Sequence, residues 1–339
     1  MSSLALSDLA RLSLAMSLAI LFVGLVRTPL RSAVGARAAY WVWLALPISA
    51  MVLWLPSAAM PRTGGLTVVP GLLTRLWSDL LVFLGPLHPP AGLAASAILL
   101  WAAGAVAMLV LSVYRQRALV RSLGRLAPYP DGTWRSAAAE EPMLVGALPP
   151  RIVLPLDFDL RYTPEERDLV LAHELAHVRR GDPFANALSA ACLCAFWFNP
   201  LMYWAASSLR YDQDLACDAS VLISAGAPAR RRYVNALLKT QMPRTSWVTA
   251  RLACHWRSAH PLTRRISLLH QPPTGRTRHV LGILLVSTLA VSASLATEVL
   301  LPPGSPSPAL RPTAATAHTA QVCPLTRRRL AAHSSPSSH

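Results

Sequence analysis

The stretch Thr163-Pro-Glu-Glu-Arg-Asp-Leu-Val-Leu-Ala-His-Glu-Leu-Ala-His-Val-Arg-Arg-Gly181 carries its own helix start and stop signals. Thr163 suits an N-cap, Pro164 the first helical position, and Glu166, three residues after the cap, completes a capping box. Gly181 reads as the C-terminal stop, with Arg179 and Arg180 against the negative end of the dipole. His173 and His177 lie four residues apart on one face, so their imidazoles can converge on a single ion at about 2.0–2.1 Å. Glu174, rotated by about 100° from His173, can reach a water in the open position of that ion and take its proton. Two histidines on a solvated helix are the plain alternative; the His-Glu-x-x-His spacing on a capped helix favours zinc.

A catalytic zinc site usually has three protein ligands, so a carboxylate is expected on a second helix. Leu209-Arg-Tyr-Asp-Gln-Asp-Leu-Ala-Cys-Asp-Ala-Ser-Val-Leu222 offers Asp212, Asp214 and Asp218. Asp214 and Asp218 are spaced i,i+4 and share a face, so one could ligate while the other accepts a proton from a ligating imidazole. Surface acids pairing with Arg210 would give the same pattern, and spacing alone does not separate the two. Between the helices, residues 183–209 are uncharged for 27 positions. A full membrane crossing would put His177 and Asp214 on opposite sides, and Asn199-Pro200 interrupts the run. A helical hairpin packed against the bilayer or other spans is expected instead.

Composition sets the surroundings. The chain has 339 residues, 53% hydrophobic and 14% charged, with mean hydropathy +0.39. A soluble domain carries about 25% charge, so an ordinary soluble enzyme is excluded and lipid is expected to solvate part of the chain. Four stretches are long and apolar enough to span: about 5–26, 38–60, 89–113 and 279–298. Ala36-Arg37-Ala38 could pass for a leader cleavage site, but the positive charge follows the apolar run. The loop with Arg27, Arg31 and Arg37 has no acid, which places it in the cytoplasm by the positive-inside rule. The segment 115–278, with 22 basic and 13 acidic residues, then falls on the same side. The net charge of +16 is thus a topological label; a nucleic-acid footprint at Arg230-Arg-Arg232 lacks a helix-turn-helix signal or interleaved aromatics.

The expected fold is mainly α. It is a polytopic membrane protein with about four transmembrane helices and a cytoplasmic α+β zinc peptidase domain between helices 3 and 4. The expected divisions are 1–114 (three spans), 115–278 (peptidase domain), 279–298 (fourth span) and 299–339, a Pro- and Ser-rich disordered extracytoplasmic tail. Met143–Gly146 and Arg151–Leu154 read as two short strands, either a structural hairpin or an edge on which an extended peptide lies by strand addition. The five cysteines form no even framework, and Cys192, Cys194 and Cys217 read as reduced core thiols.

Pro150-Arg-Ile-Val-Leu-Pro155, His173-Glu-Leu-Ala-His-Val-Arg-Arg-Gly-Asp182, Trp197-Phe-Asn-Pro-Leu201 and Asp214-Leu-Ala-Cys-Asp218 occur in that order. In them the chain resembles the membrane zinc peptidases of the BlaR/MecR type, gluzincin-like proteins of bacterial β-lactam sensing. His260-Pro261 with Arg265-Ile266 is similar to a further, weaker pattern of related membrane zinc peptidases. The resemblance implies zinc on His173 and His177, Glu174 as catalytic glutamate, and Asp214 as third ligand. Asp218 and Asp182 would be outer carboxylates. The family usually has Glu where this chain has Asp214, which shortens the reach by about 1.5 Å. Only 42 residues follow position 297, and the one lysine, Lys239, has Ala236 three before it, so Ser-x-x-Lys is absent and no covalent β-lactam binding is expected.

The expectation is therefore a zinc endopeptidase of the bacterial inner membrane, cleaving a cytoplasmic protein in signal transduction or gene regulation. A transcriptional repressor is the substrate that the resemblance suggests. The alternative is a regulatory membrane scaffold with weak or no peptidase activity. The expected partners are lipid and a cytoplasmic protein, with no nucleic acid.

Overall fold

The computed structural model describes residues 2–52, 90–147, 149–223, 225–241, 265–266, 277 and 280–285. Helix α1 (Ser2–Val34) runs through the first apolar stretch and continues past Arg27 and Arg31. A loop was expected there; instead the chain stays helical up to Gly35, whose φ of 88° ends it. The charges do not force an exit from the helix because both guanidiniums are paired with Asp212, at 3.3 Å from Arg27 and 3.2 Å from Arg31. The second apolar stretch opens as α2 (Ala36–Ala39), a 3-10 turn (Tyr40–Leu44) and α3 (Ala45–Val52). Helix α4 (Ala91–Ser122) covers the third and extends past Val113. Of the fourth, 280–285 are helical; the rest of it, residues 53–89 and the tail at 299–339 lie outside the described residues.

Within α1 and α4, Asp8–Val34 and Gly92–Ser122 each have a mean hydropathy of 2.2 in their most apolar window and are long enough to cross a membrane. At 1.5 Å per residue each extends roughly 40 Å, against a hydrocarbon core of about 30 Å.

A small sheet precedes the motif helix. Strands β1 (Ala127–Pro128), β2 (Trp134–Ser136), β3 (Met143–Val145) and β4 (Arg151–Pro155) lie in the order β1-β2-β4-β3. The two expected strands pair antiparallel, Leu144 opposite Ile152, leaving β3 at an edge; β4 is interior because β2 pairs parallel on its other side. Side chains alternate along β4. Val153 packs with Leu123, Ala139 and Val145, while Leu154 packs with Phe158, Tyr162, Val170 and Ala236.

Leu154 thereby seats the motif helix. After the short α5 (Phe158–Arg161) comes α6 (Pro164–Arg180), whose capping box is formed in full: Thr163 Oγ1 accepts from the Glu166 amide and Glu166 Oε2 accepts from the Thr163 amide. Glu166 also accepts from Lys239 Nζ at 2.5 Å, tying down α9 (Ala227–Gln241). Gly181, φ 77°, turns the chain directly into α7 (Asp182–Ala195). A turn at 196–199 leads into α8 (Pro200–Val221), so the uncharged stretch is the expected hairpin. It shares one core with α1 and the second apolar stretch: Ile20, Val23, Val42 and Trp43 pack with Leu193, Phe196, Met202 and Ala206.

Thr163→Ala removes a cap and Gly181→Ala forces a side chain into the left-handed region, each expected to cost about 1 kcal/mol. Denaturant unfolding in detergent checks this; an unchanged midpoint in both would contradict the local account of α6.

Candidate metal centre

Helices α6 and α8 cross so that the expected ligands meet. The Nε2 atoms of His173 and His177 are 3.2 Å apart, and Asp214 Oδ1 is 3.6 Å from His177 Nε2. The ligand atoms of all three residues lie within 4.8 Å of one another. A tetrahedral zinc with bonds of about 2.05 Å separates its ligand atoms by about 3.3 Å, so the set fits the ion. Asp214 reaches despite its shorter side chain, because α8 packs directly along α6.

What stands behind each imidazole decides its tautomer. His177 Nδ1 is 2.7 Å from Asp182 Oδ2, and Asp182 is a fully buried acceptor. His173 Nδ1 is 2.8 Å from the Tyr233 hydroxyl, which donates to Asp218 Oδ1 at 2.6 Å; Asp218 Oδ1 is itself 3.3 Å from the imidazole. Assigned from these partners, both rings carry their proton on Nδ1 and turn an Nε2 lone pair toward the same point. Two acceptor nitrogens 3.2 Å apart repel unless a cation lies between them.

The outer carboxylates are held in turn. Arg265 donates to both oxygens of Asp218, from Nε at 2.9 Å and Nη2 at 2.7 Å, and its Nη1 lies 3.7 Å from Asp214 Oδ2. Burial disfavours the Asp218 anion, but the Arg265 guanidinium outweighs it and holds the carboxyl below the usual carboxylate range. Burial, reinforced by the neighbouring Asp218 charge, pushes the Tyr233 phenol well above its ordinary value, so it remains a donor. Arg180 grips both oxygens of Asp182.

Glu174 is half-buried on α6 and forms no hydrogen bond or ion pair among the described residues. Asp212, open as a ligand on spacing alone, is turned away from the histidines: it accepts from Arg27, Arg31 and, at 2.9 Å, from Trp43 Nε1. Asp212 and Asp218 are buried and so are not surface partners of Arg210, whereas Asp214 is part-exposed and its charge also acts on Arg210. Sequence reasoning missed Tyr233, Tyr40 and Arg180. Tyr233 follows Arg230-Arg-Arg232, where the charge drew the reading away from it. Arg265 was quoted for its motif only. His260-Pro261 lies outside the described residues.

A sequence model of the family described as BlaR1 peptidase M56 matches residues 89–269, more than half of the chain. The chain belongs to that family. Among curated relatives, it is 30% identical over 105 residues to the regulatory protein BlaR1 of Bacillus licheniformis and 31% identical over 104 residues to the methicillin resistance mecR1 protein of Staphylococcus aureus. Each alignment takes in 31% of this chain but only 17% and 18% of those relatives' own lengths. As a BlaR1-type M56 chain it has a metallopeptidase and membrane background, in agreement with the resemblance noted in its motifs.

Asp218→Asn would remove the negative charge behind His173 and Tyr233 and leave the buried Arg265 with only the 3.7 Å approach of Asp214. Zinc affinity is expected to fall about 10–100-fold and stability by about 3–5 kcal/mol. Competition against a chromophoric chelator, with denaturant unfolding of the zinc-free protein, reads the two effects; unchanged affinity would dismiss Asp218 as a support of the site.

Proposed function

We propose that this M56 chain is a membrane-anchored zinc endopeptidase that cleaves a cytoplasmic protein in bacterial signal transduction or gene regulation. The observation that carries the reading is the approach of the two imidazole Nε2 atoms to 3.2 Å, with a carboxylate alongside. His173, His177 and Asp214 would hold the ion, with Asp182 and Asp218 behind the imidazoles. Zinc bound there would supply a Lewis acid for the scissile carbonyl and lower the pKa of water. Glu174 takes the proton of the attacking water as its oxygen adds to the carbonyl carbon, then delivers that proton to the departing amine nitrogen. The half-buried carboxylate of Glu174, with no hydrogen bond or ion pair among the described residues, suits a group that must accept and release a proton in turn.

The cytoplasmic orientation is supported by the same residues that drew the positive-inside reading. Arg27 and Arg31 lie against Asp212, two residues from Asp214, so the charges and the site share one side of the helices. The first and third apolar stretches would cross the inner membrane of the cell as α1 and α4, with the second and fourth completing the four spans. The edge strand β3 remains the place for an extended peptide substrate. The printed names of the two relatives, a regulatory protein and a resistance protein, support a regulatory substrate, with a transcriptional repressor the first to test.

Glu174→Gln is expected to keep one zinc per chain while lowering cleavage about 10²–10⁴-fold, whereas His173→Ala loses both. Comparing new protein termini in cells with wild type and Glu174→Gln identifies the substrate. Cleavage that persists in Glu174→Gln would refute the peptidase, and zinc-free wild type would refute the metal centre.

A further inference from the structure

The support behind His177 is built almost entirely from its own neighbourhood. Arg180 lies on the same helix, and Asp182 follows Gly181 at the start of α7. Helix α8 adds the Gln213 carbonyl and Cys217 Sγ on Arg180, and the most distant member is Tyr40, 142 residues away on the 3-10 turn of the second apolar stretch, whose hydroxyl donates to Asp182 Oδ1 at 3.1 Å. The two oxygens of Asp182 are thus divided. Oδ2 faces His177 Nδ1 and receives Arg180 Nη2, while Oδ1 receives Tyr40 and Arg180 Nε. The Tyr40 ring also lies 4.6 Å beneath the Arg180 guanidinium, and Gln213 Nε2 donates to its hydroxyl at 3.5 Å.

We propose that Tyr40 is a positioning residue of the metal centre: through Asp182 it sets the orientation of His177 and makes that ligand answer to the placement of the membrane helices. The inference rests on the zinc-site reading above. A carboxylate can rotate about its last torsion, and one oriented by two donors on Oδ1 presents Oδ2 to the imidazole at a fixed angle. Arg180 binds both oxygens from the motif helix and is itself anchored on the Gln213 carbonyl and Cys217 Sγ. Tyr40 adds a donor on Oδ1 that comes from the second apolar stretch, so the carboxylate is held from both sides. The same turn carries Trp43, which donates to Asp212 two residues before Asp214. One short segment thus bears on the supports of two ligands, and a shift of that segment is felt at both.

Tyr40→Phe keeps the ring beneath Arg180 and removes only the donor. Outer partners of a metal ligand are worth about 10–100-fold in affinity, and Tyr40 stands one step further out, so about 3–10-fold weaker zinc binding is expected. The full chain in detergent would be titrated with zinc against a chromophoric chelator. The visible absorption of the cobalt-loaded protein would report ligand geometry, and denaturant unfolding without metal would report the fold. The expected result is weaker zinc binding and a shifted cobalt spectrum in Tyr40→Phe, with neither change when Asp182→Asn is already present. Unchanged affinity and spectrum in Tyr40→Phe overturn the inference and leave the zinc site standing. An equal loss in the Asp182→Asn background also overturns it, since Tyr40 would then act through the general fold. Absence of zinc binding by wild type overturns the site reading and the inference together.

Discussion

The structure depends on burying a carboxylate behind each of two histidines one helical turn apart. Asp182 and Asp218 each have 1% of their surface exposed, and an anion so placed is costly unless several donors meet it. Arg180 and Tyr40 join His177 on Asp182, and Arg265 and Tyr233 join His173 on Asp218. Those donors come from α6, the turn after α2, α9 and the segment at 265. The need to satisfy two anions therefore dictates which elements surround α6, and the direction of both Nε2 atoms follows.

The third buried acid ties this centre to the long apolar helices. Asp212 sits on α8 between two arginines of α1 and a tryptophan of the second apolar stretch. A pairing of that kind contributes modestly to net stability, because desolvation offsets most of the attraction, yet losing one partner is expensive. Its effect is one of register. It fixes how far along α1 the helix α8 lies, and hence where Asp214 stands relative to α6. Gly24 assists, since a Cβ there would come within 2.7 Å of the Trp204 ring.

Several local signals were legible in the sequence, whereas strands β1 and β2 and the distant pairings were not. The capping box at Thr163, the stop at Gly181, the strands at 143–145 and 151–155 and the break at Asn199-Pro200 are each decided within a few residues, and each stands where it was expected. The candidate for a third ligand was legible only as a choice among three acids, because their separation depends on what lies across from each face of α8. Arg27 and Arg31 were read as loop residues since an unpaired arginine ends an apolar helix; nothing local announces a partner about 180 positions away. Tyr40 and Tyr233 carry no motif at all, and a tyrosine at such positions reads as core until its hydroxyl has an address.

The hairpin α7–α8 takes up the 27 uncharged residues by folding them back against the long apolar helices. Its turn lies beside the middle of the two candidate spans: Asn199 Nδ2 donates to Ser17 Oγ at 2.8 Å, Trp101 Nε1 donates to the Ala195 carbonyl at 2.7 Å, and a Cβ on Gly104 would collide with the Trp197 ring. In a bilayer, a non-helical turn beside the middle of a span is tolerated only when protein groups satisfy its backbone. This turn meets that condition. The Trp197 carbonyl accepts from the Tyr203 hydroxyl at 2.8 Å, Asn199 Oδ1 accepts from the Leu201 amide at 3.0 Å, and Pro200 has no amide to satisfy. Phe184, Leu188 and Phe198 stay exposed on the same hairpin, as an apolar solvent would permit and water would not favour. Since Asp182 opens this hairpin and Asp214 lies on its returning arm, the metal centre is the hairpin's base, and its placement follows from how deeply the turn is seated between α1 and α4.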